Sequence, residues 1–96
     1  MKYGCVITAL ESGLKCARKG WNGKGMFIYL TTGTIIPTTN LKEETKNHLF
    51  GDKLLVDGST VKINSHIDMK TADGSITVGW IPSQVDQLAD DWEVVE

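Results

Sequence analysis

Three glycines in six residues, Gly20-Trp21-Asn22-Gly23-Lys24-Gly25, constrain the fold more than any other stretch of this chain. Glycine weakens the interior of helices and strands and accepts backbone conformations closed to other residues, so the run reads as a turn-rich connection. Segments with strand character stand on both sides of it. Residues 15–19 place Cys16 and Arg18 on the parity opposite to Ala17, and residues 26–30 (Met-Phe-Ile-Tyr-Leu) are rich in aromatic and branched side chains. Together they predict a β-hairpin.

Around that hairpin the pattern changes. Tyr3, Val6, Ile7, Leu10 and Leu14 recur at steps of three and four, which predicts an amphipathic helix over residues 3–12 with Gly13 as its left-handed terminator. Further on, Thr38, Thr39 or Asn40 is expected to cap a helix that begins at Leu41, carries Glu43 and Glu44 in its first turn and ends at Gly51. Residues 61–63 and 65–70 resemble strands, the second with Ile67 and Met69 facing one way and His66, Asp68 and Lys70 the other. Asp73-Gly74 predicts a two-residue hairpin turn leading into a strand over residues 76–80. Ser83-Gln84-Val85-Asp86 has capping-box form, with Asp in place of Glu, so a short helix should run to about Ala89. Trp92-Glu93-Val94-Val95 closes the chain as a last strand. The expected fold is α+β: a single small domain over residues 1–96, with an antiparallel sheet, an N-terminal helix packed on it and a short C-terminal helix.

Size and composition exclude several function classes. Ninety-six residues make one domain, and one this small buries only about 60% to 65% of its unfolded surface, so self-association would add stability. No apolar stretch approaches the roughly 18 residues of a membrane span. The opening ten residues are too short and too soon interrupted by Glu11 for a signal peptide, so a cytoplasmic location is expected. Cys5 and Cys16 are too few for a disulfide framework or a zinc site and should be free thiols. His48 and His66 stand far apart without ligand spacing, so no metal and no cofactor are expected. No nucleophile elbow, phosphate-binding Walker loop or zinc-protease motif is present, and a catalytically inert protein is expected.

The net charge of -2 is unevenly placed. Residues 1–25 carry Lys2, Lys15, Arg18, Lys19 and Lys24 against Glu11 alone, while the remaining residues are acidic in balance. Bulk nucleic-acid binding needs a broad basic face, which this distribution does not offer. A small phosphate-bearing ligand is permitted. In the glycine run, backbone amides can form an anion-binding nest, and Arg18 and Lys24 can add charge-assisted bonds to phosphate. Trp21 can stack on a base, and Asn22 offers donor and acceptor to a base edge or ribose. The plainer reading is a tight hairpin with Trp21 in the core and the lysines solvated. Asp73 or Thr71 could meet ribose hydroxyls, or belong to an ordinary hairpin. Ser83 and Asp86 stand at a helix N-terminus that suits an anion, or simply cap their own helix.

Three segments carry a resemblance: residues 17–27 (Ala-Arg-Lys-Gly-Trp-Asn-Gly-Lys-Gly-Met-Phe), residues 69–74 (Met-Lys-Thr-Ala-Asp-Gly), and residues 80–94 from Trp80-Ile81-Pro82-Ser83 to Trp92-Glu93-Val94. In these the chain resembles the Thoeris anti-defence proteins of the second type, a family of short phage and bacterial proteins. The resemblance implies a sponge that assembles as a homotetramer in the host cytoplasm. Such a protein sequesters cyclic ADP-ribose isomers intact, and some relatives also bind cyclic dinucleotides at a separate site. Carried onto this sequence, the family's motifs nominate Trp21, Asn22, Lys24 and Phe27 as one pocket wall, with Asp73, Ser83, Gln84 and Asp86 as further contacts. Arg18 joins them on its charge. Other readings are a small RNA or single-stranded DNA binding module using the basic glycine loop, a cyclic-nucleotide hydrolase, and a purely structural phage protein.

Overall fold

The computed structural model describes all residues 1–96. Contacts divide the chain into two compact units, one made of residues 1–32 and 65–96, the other of residues 33–64. The larger unit holds helix α1 (Tyr3–Glu11), strands β1 (Lys15–Arg18) and β2 (Phe27–Thr31), and later strands β5 (His66–Lys70), β6 (Ile76–Val78) and β7 (Trp92–Val95) with helix α3 (Gln84–Leu88) before the last. Its five strands form one sheet in the order β6-β5-β2-β1-β7, every neighbouring pair antiparallel. The fold is the expected α+β arrangement.

Helix α1 forms because Val6 and Leu10, one turn apart, both find the sheet; Ile7 and Leu14 remain exposed. Its end is a Schellman turn: Gly13 at φ +86° lets its own N–H reach the Leu10 carbonyl and the Leu14 N–H reach that of Ala9. The β1–β2 hairpin is present as expected, with Cys16 opposite Ile28. Val6, Leu10, Cys16, Ile28, Met69 and Trp92 make the buried core. Trp92 is 2% exposed and its indole N–H donates to the Asp86 carbonyl at 2.8 Å, which meets the polar demand of a buried tryptophan. Trp21 and Trp80 pack edge-on around it, at 5.2 and 6.4 Å between ring centroids.

Several local expectations are corrected. Asp68, expected on a polar side, is buried at 3% exposure. It accepts from the Thr31 hydroxyl at 2.6 Å and the Gly79 N–H at 3.1 Å, and pairs with His66 Nδ1 at 2.7 Å. Burial alone would raise its pKa, but these bonds outweigh that and hold it below the usual carboxylate range. The strand expected to reach Trp80 stops at Val78, because the Gly79 N–H turns to Asp68. The Asp73-Gly74 turn is longer than two residues. The Thr71 N–H bonds the Ser75 carbonyl at 2.9 Å, leaving three residues in the loop.

The smaller unit pairs β3 (Thr34–Pro37), unforeseen in the sequence, with β4 (Thr60–Ile63), Ile36 opposite Val61. The expected cap at residues 38–40 is a 3-10 turn instead, and α2 (Glu43–Phe50) begins after Lys42 without a side-chain cap. The reason is a distant partner: Thr38 is buried and its hydroxyl is committed to that of Ser59 at 2.6 Å.

Since Trp92 touches both the core and the other indoles, Trp92→Ala should cost about 3–5 kcal/mol, a large part of the roughly 5–15 kcal/mol that holds a small domain together. Trp92→Phe, which keeps a ring and leaves the Asp86 carbonyl without its donor, should cost about 1–3 kcal/mol. Urea unfolding measures both. A Trp92→Ala midpoint equal to that of the parent would contradict this core.

Candidate functional site

The glycine loop is pinned at both ends. At its entry, Arg18 Nε donates to Asp91 Oδ1 and Arg18 Nη1 to Asp86 Oδ1, each at 2.8 Å. The same two carboxylates hold the loop itself: Gly20 N–H donates to Asp91 Oδ2 at 2.8 Å and the Trp21 indole N–H to Asp86 Oδ1 at 3.2 Å. At its exit, Lys70 Nζ donates to the Gly25 carbonyl at 3.0 Å. In the middle, a Cβ on Gly23 would lie 2.8 Å from that of Ala72, so only glycine lets the loop rest on the 71–75 turn.

This clasp decides the charges. The Arg18 side chain is 16% exposed and lies between two carboxylates, so its own charge is balanced within the fold. Its pKa is raised by the hydrogen bonds it donates to Asp91 and Asp86. Asp91 is held below the usual range first by Arg18 and then by the Gly20 N–H. For Asp86, burial works the other way, but the bonds from Arg18, Trp21 and Ser83 outweigh it and its pKa is also lowered. Asp86 completes a true capping box on α3, its N–H meeting Ser83 Oγ at 3.1 Å.

Beside the loop, on the sheet face opposite α1, lies a cleft of about 440 Å³. Lys15, Lys19, Lys70, Arg18, Trp21 and Phe27 line it, with Gly23 and Gly25 supplying backbone. Strand register builds this lining. Phe27 stands directly opposite Lys70, and the ammonium groups of Lys15 and Lys70 lie 4.5 and 5.5 Å from the Phe27 ring centroid. With Arg18 balanced, three lysines face Glu93, the acidic member of the lining. An anion with an apolar or planar part suits such a surface.

The nominated residues therefore separate into groups. Arg18, Trp21, Ser83 and Asp86 come together, but chiefly with one another, and of these Arg18 and Trp21 also reach the cleft. Phe27 lies in its wall. Asn22 and Lys24 are exposed on the loop between lining residues, and Gln84 is exposed on α3. Asp73 is taken up by its own turn, bonded to Thr71 and to the Ser75 N–H, which lowers its pKa to about 2. Lys15, Lys19 and Lys70 were not singled out from the sequence. Their signal is strand parity: Lys15, Phe27 and Lys70 alternate with the buried Cys16, Ile28 and Met69.

The lowered pKa values of Asp86 and Asp91 set a pH window. Their contribution to stability is complete above the unfolded carboxylate value of about 4 and is lost as pH falls through the lower folded values. Tryptophan emission should therefore be constant from about pH 7 to 5 and change below about 4, with Asp91→Asn altering that acid transition. A transition centred near neutrality would point away from these carboxylates.

Across residues 1–95 the chain matches the family model of the Thoeris anti-defense 2-like domain. It is 32% identical over 98 residues to Thoeris anti-defense 2 of Bacillus phage SP01, an alignment that covers 99% of this chain and 94% of that protein. No helix is long and apolar enough to cross a membrane. The chain belongs to the Thoeris anti-defense 2-like family.

Proposed function

We propose that this anti-defence protein is a sponge: it binds a cyclic ADP-ribose isomer, holds it without cleaving it, and so keeps the signal of Thoeris-type immunity from its effector. The observation that carries the reading is the lysine-lined cleft beside the glycine loop. A diphosphate can meet ammonium groups from the lysines that line this cleft, Lys15, Lys19 and Lys70, with Trp21 or Phe27 against a planar or ribose face. To compete with an effector, such a protein needs nanomolar affinity, about -12 kcal/mol. Several charge-assisted bonds and a preformed surface are its source in this reading.

Assembly as a homotetramer is part of the same proposal. Ile81 and Leu88 are each 82% exposed in a chain whose core is small, and burying them between copies would stabilise the fold. A pocket completed by a second copy would also enclose a ligand that an open cleft only half covers. Cyclic dinucleotides are a second ligand class within this reading. The RNA or single-stranded DNA alternative is weaker, because Arg18, the one arginine in the sequence, is already bound to Asp86 and Asp91.

The decisive experiment incubates purified protein with cyclic ADP-ribose isomers and cyclic dinucleotides, then releases bound material by heat and analyses it by mass spectrometry. A ligand that leaves the free pool and returns unchanged supports the sponge; a cleaved product identifies an enzyme instead. Lys15→Gln and Asn22→Ala, both at positions outside the core, should each weaken binding by about tenfold or more while leaving the unfolding midpoint near that of the parent. Unchanged affinity in both would remove the site from consideration. Trp21→Ala is less telling, since the same ring supports Trp92.

A further inference from the structure

A second hollow, of about 490 Å³, adjoins the lysine-lined cleft. Leu14, Tyr29 and Ile76 line it, and it shares Lys15, Phe27 and Val95 with its neighbour. Register explains the adjacency. Lys70 stands between Phe27 and Ile76 across the strands, and Val95 stands opposite Lys15. Phe27 and Tyr29 project on the same side of β2, their ring centroids 6.0 Å apart. Leu14, Ile76 and Val95 are aliphatic and Tyr29 adds an aromatic ring, yet Ile76 is 51% exposed. One continuous surface therefore passes from lysines to an aromatic and branched wall.

We infer that this second hollow receives the nucleobase of a ligand whose phosphates lie in the lysine-lined cleft. The inference rests on the nucleotide-binding reading above and deepens it by assigning the two ends of the ligand. Charge complementarity sets the direction: phosphate meets ammonium, and the uncharged planar base meets Tyr29, Ile76 and Val95. Lys15 is the seam. Its ammonium rests near the Phe27 ring in the free protein and can turn to phosphate when a ligand arrives, leaving that ring free for the base.

Calorimetry with two probes separates this inference from the reading beneath it: a panel of cyclic ADP-ribose isomers, which carry a base, and inorganic pyrophosphate, which does not. Tyr29→Ser should weaken the bound isomer by roughly tenfold or more, as loss of one base–aromatic contact does, Ile76→Asn should weaken it through lost apolar contact, and both should leave pyrophosphate unchanged. Lys15→Gln should weaken both probes. Ile76 sits on an exposed edge strand, so its variant is expected to fold even if the Tyr29 variant does not. As a direct check, saturation of the Ile76 methyl groups should transfer to the base protons of the ligand. If the two hollow variants spare the isomer, or change the mass of the assembly without changing its affinity, the base lies elsewhere while the nucleotide reading stands. If the parent binds neither probe, both fall.

Discussion

The Arg18 clasp is the interaction on which the rest of this surface depends. One guanidinium at the end of β1 binds Asp86, at the start of α3, and Asp91, just before β7. Those carboxylates then accept from the Gly20 N–H and the Trp21 indole, so the glycine loop inherits its position from residues about 70 places later in the chain. The planar fork of arginine makes this possible, since a lysine would offer one point charge where two carboxylates need donors set apart. A residue that looks like a phosphate ligand in the sequence is, in the fold, first a fastening.

Indole packing completes the same construction from below. Trp92 closes the core under α1 and hands its N–H to the Asp86 carbonyl, so Asp86 receives Arg18 and Trp21 on its side chain and Trp92 on its backbone. The loop, the C-terminal helix and the core thus meet at one residue. On the other strand parity, the alternation of β1, β2 and β5 sets lysines beside aromatic rings. A binding surface results from the same strand parity that fills the core.

Much of this was legible locally. Helix α1 and its glycine stop, the first hairpin, the capping box at Ser83 and the final strand all follow from side chains close in sequence, where spacing reports geometry directly. The middle of the chain was not. Thr38 reads as a cap until Ser59 takes its hydroxyl, and Asp68 reads as an outward residue until Thr31, His66 and Gly79 surround it. In each case a partner far along the chain overrides a local preference, and no spacing announces that partner. Lys15 and Lys70 were hidden for the same reason, being ordinary lysines until register brings them to one ring.

The sequence by itself determined that residues 20–25 form a loop, that strands flank it, and that its motifs are those of the Thoeris anti-defense 2-like family. Those properties reside in backbone freedom, periodicity and residue identity. Only the tertiary structure decided which charges are left for a ligand. Neutralising Arg18 requires Asp86 and Asp91 within hydrogen-bond reach, and setting lysines against Phe27 requires a particular strand pairing. Both are distances between residues remote in sequence, and electrostatic interaction depends on distance in space.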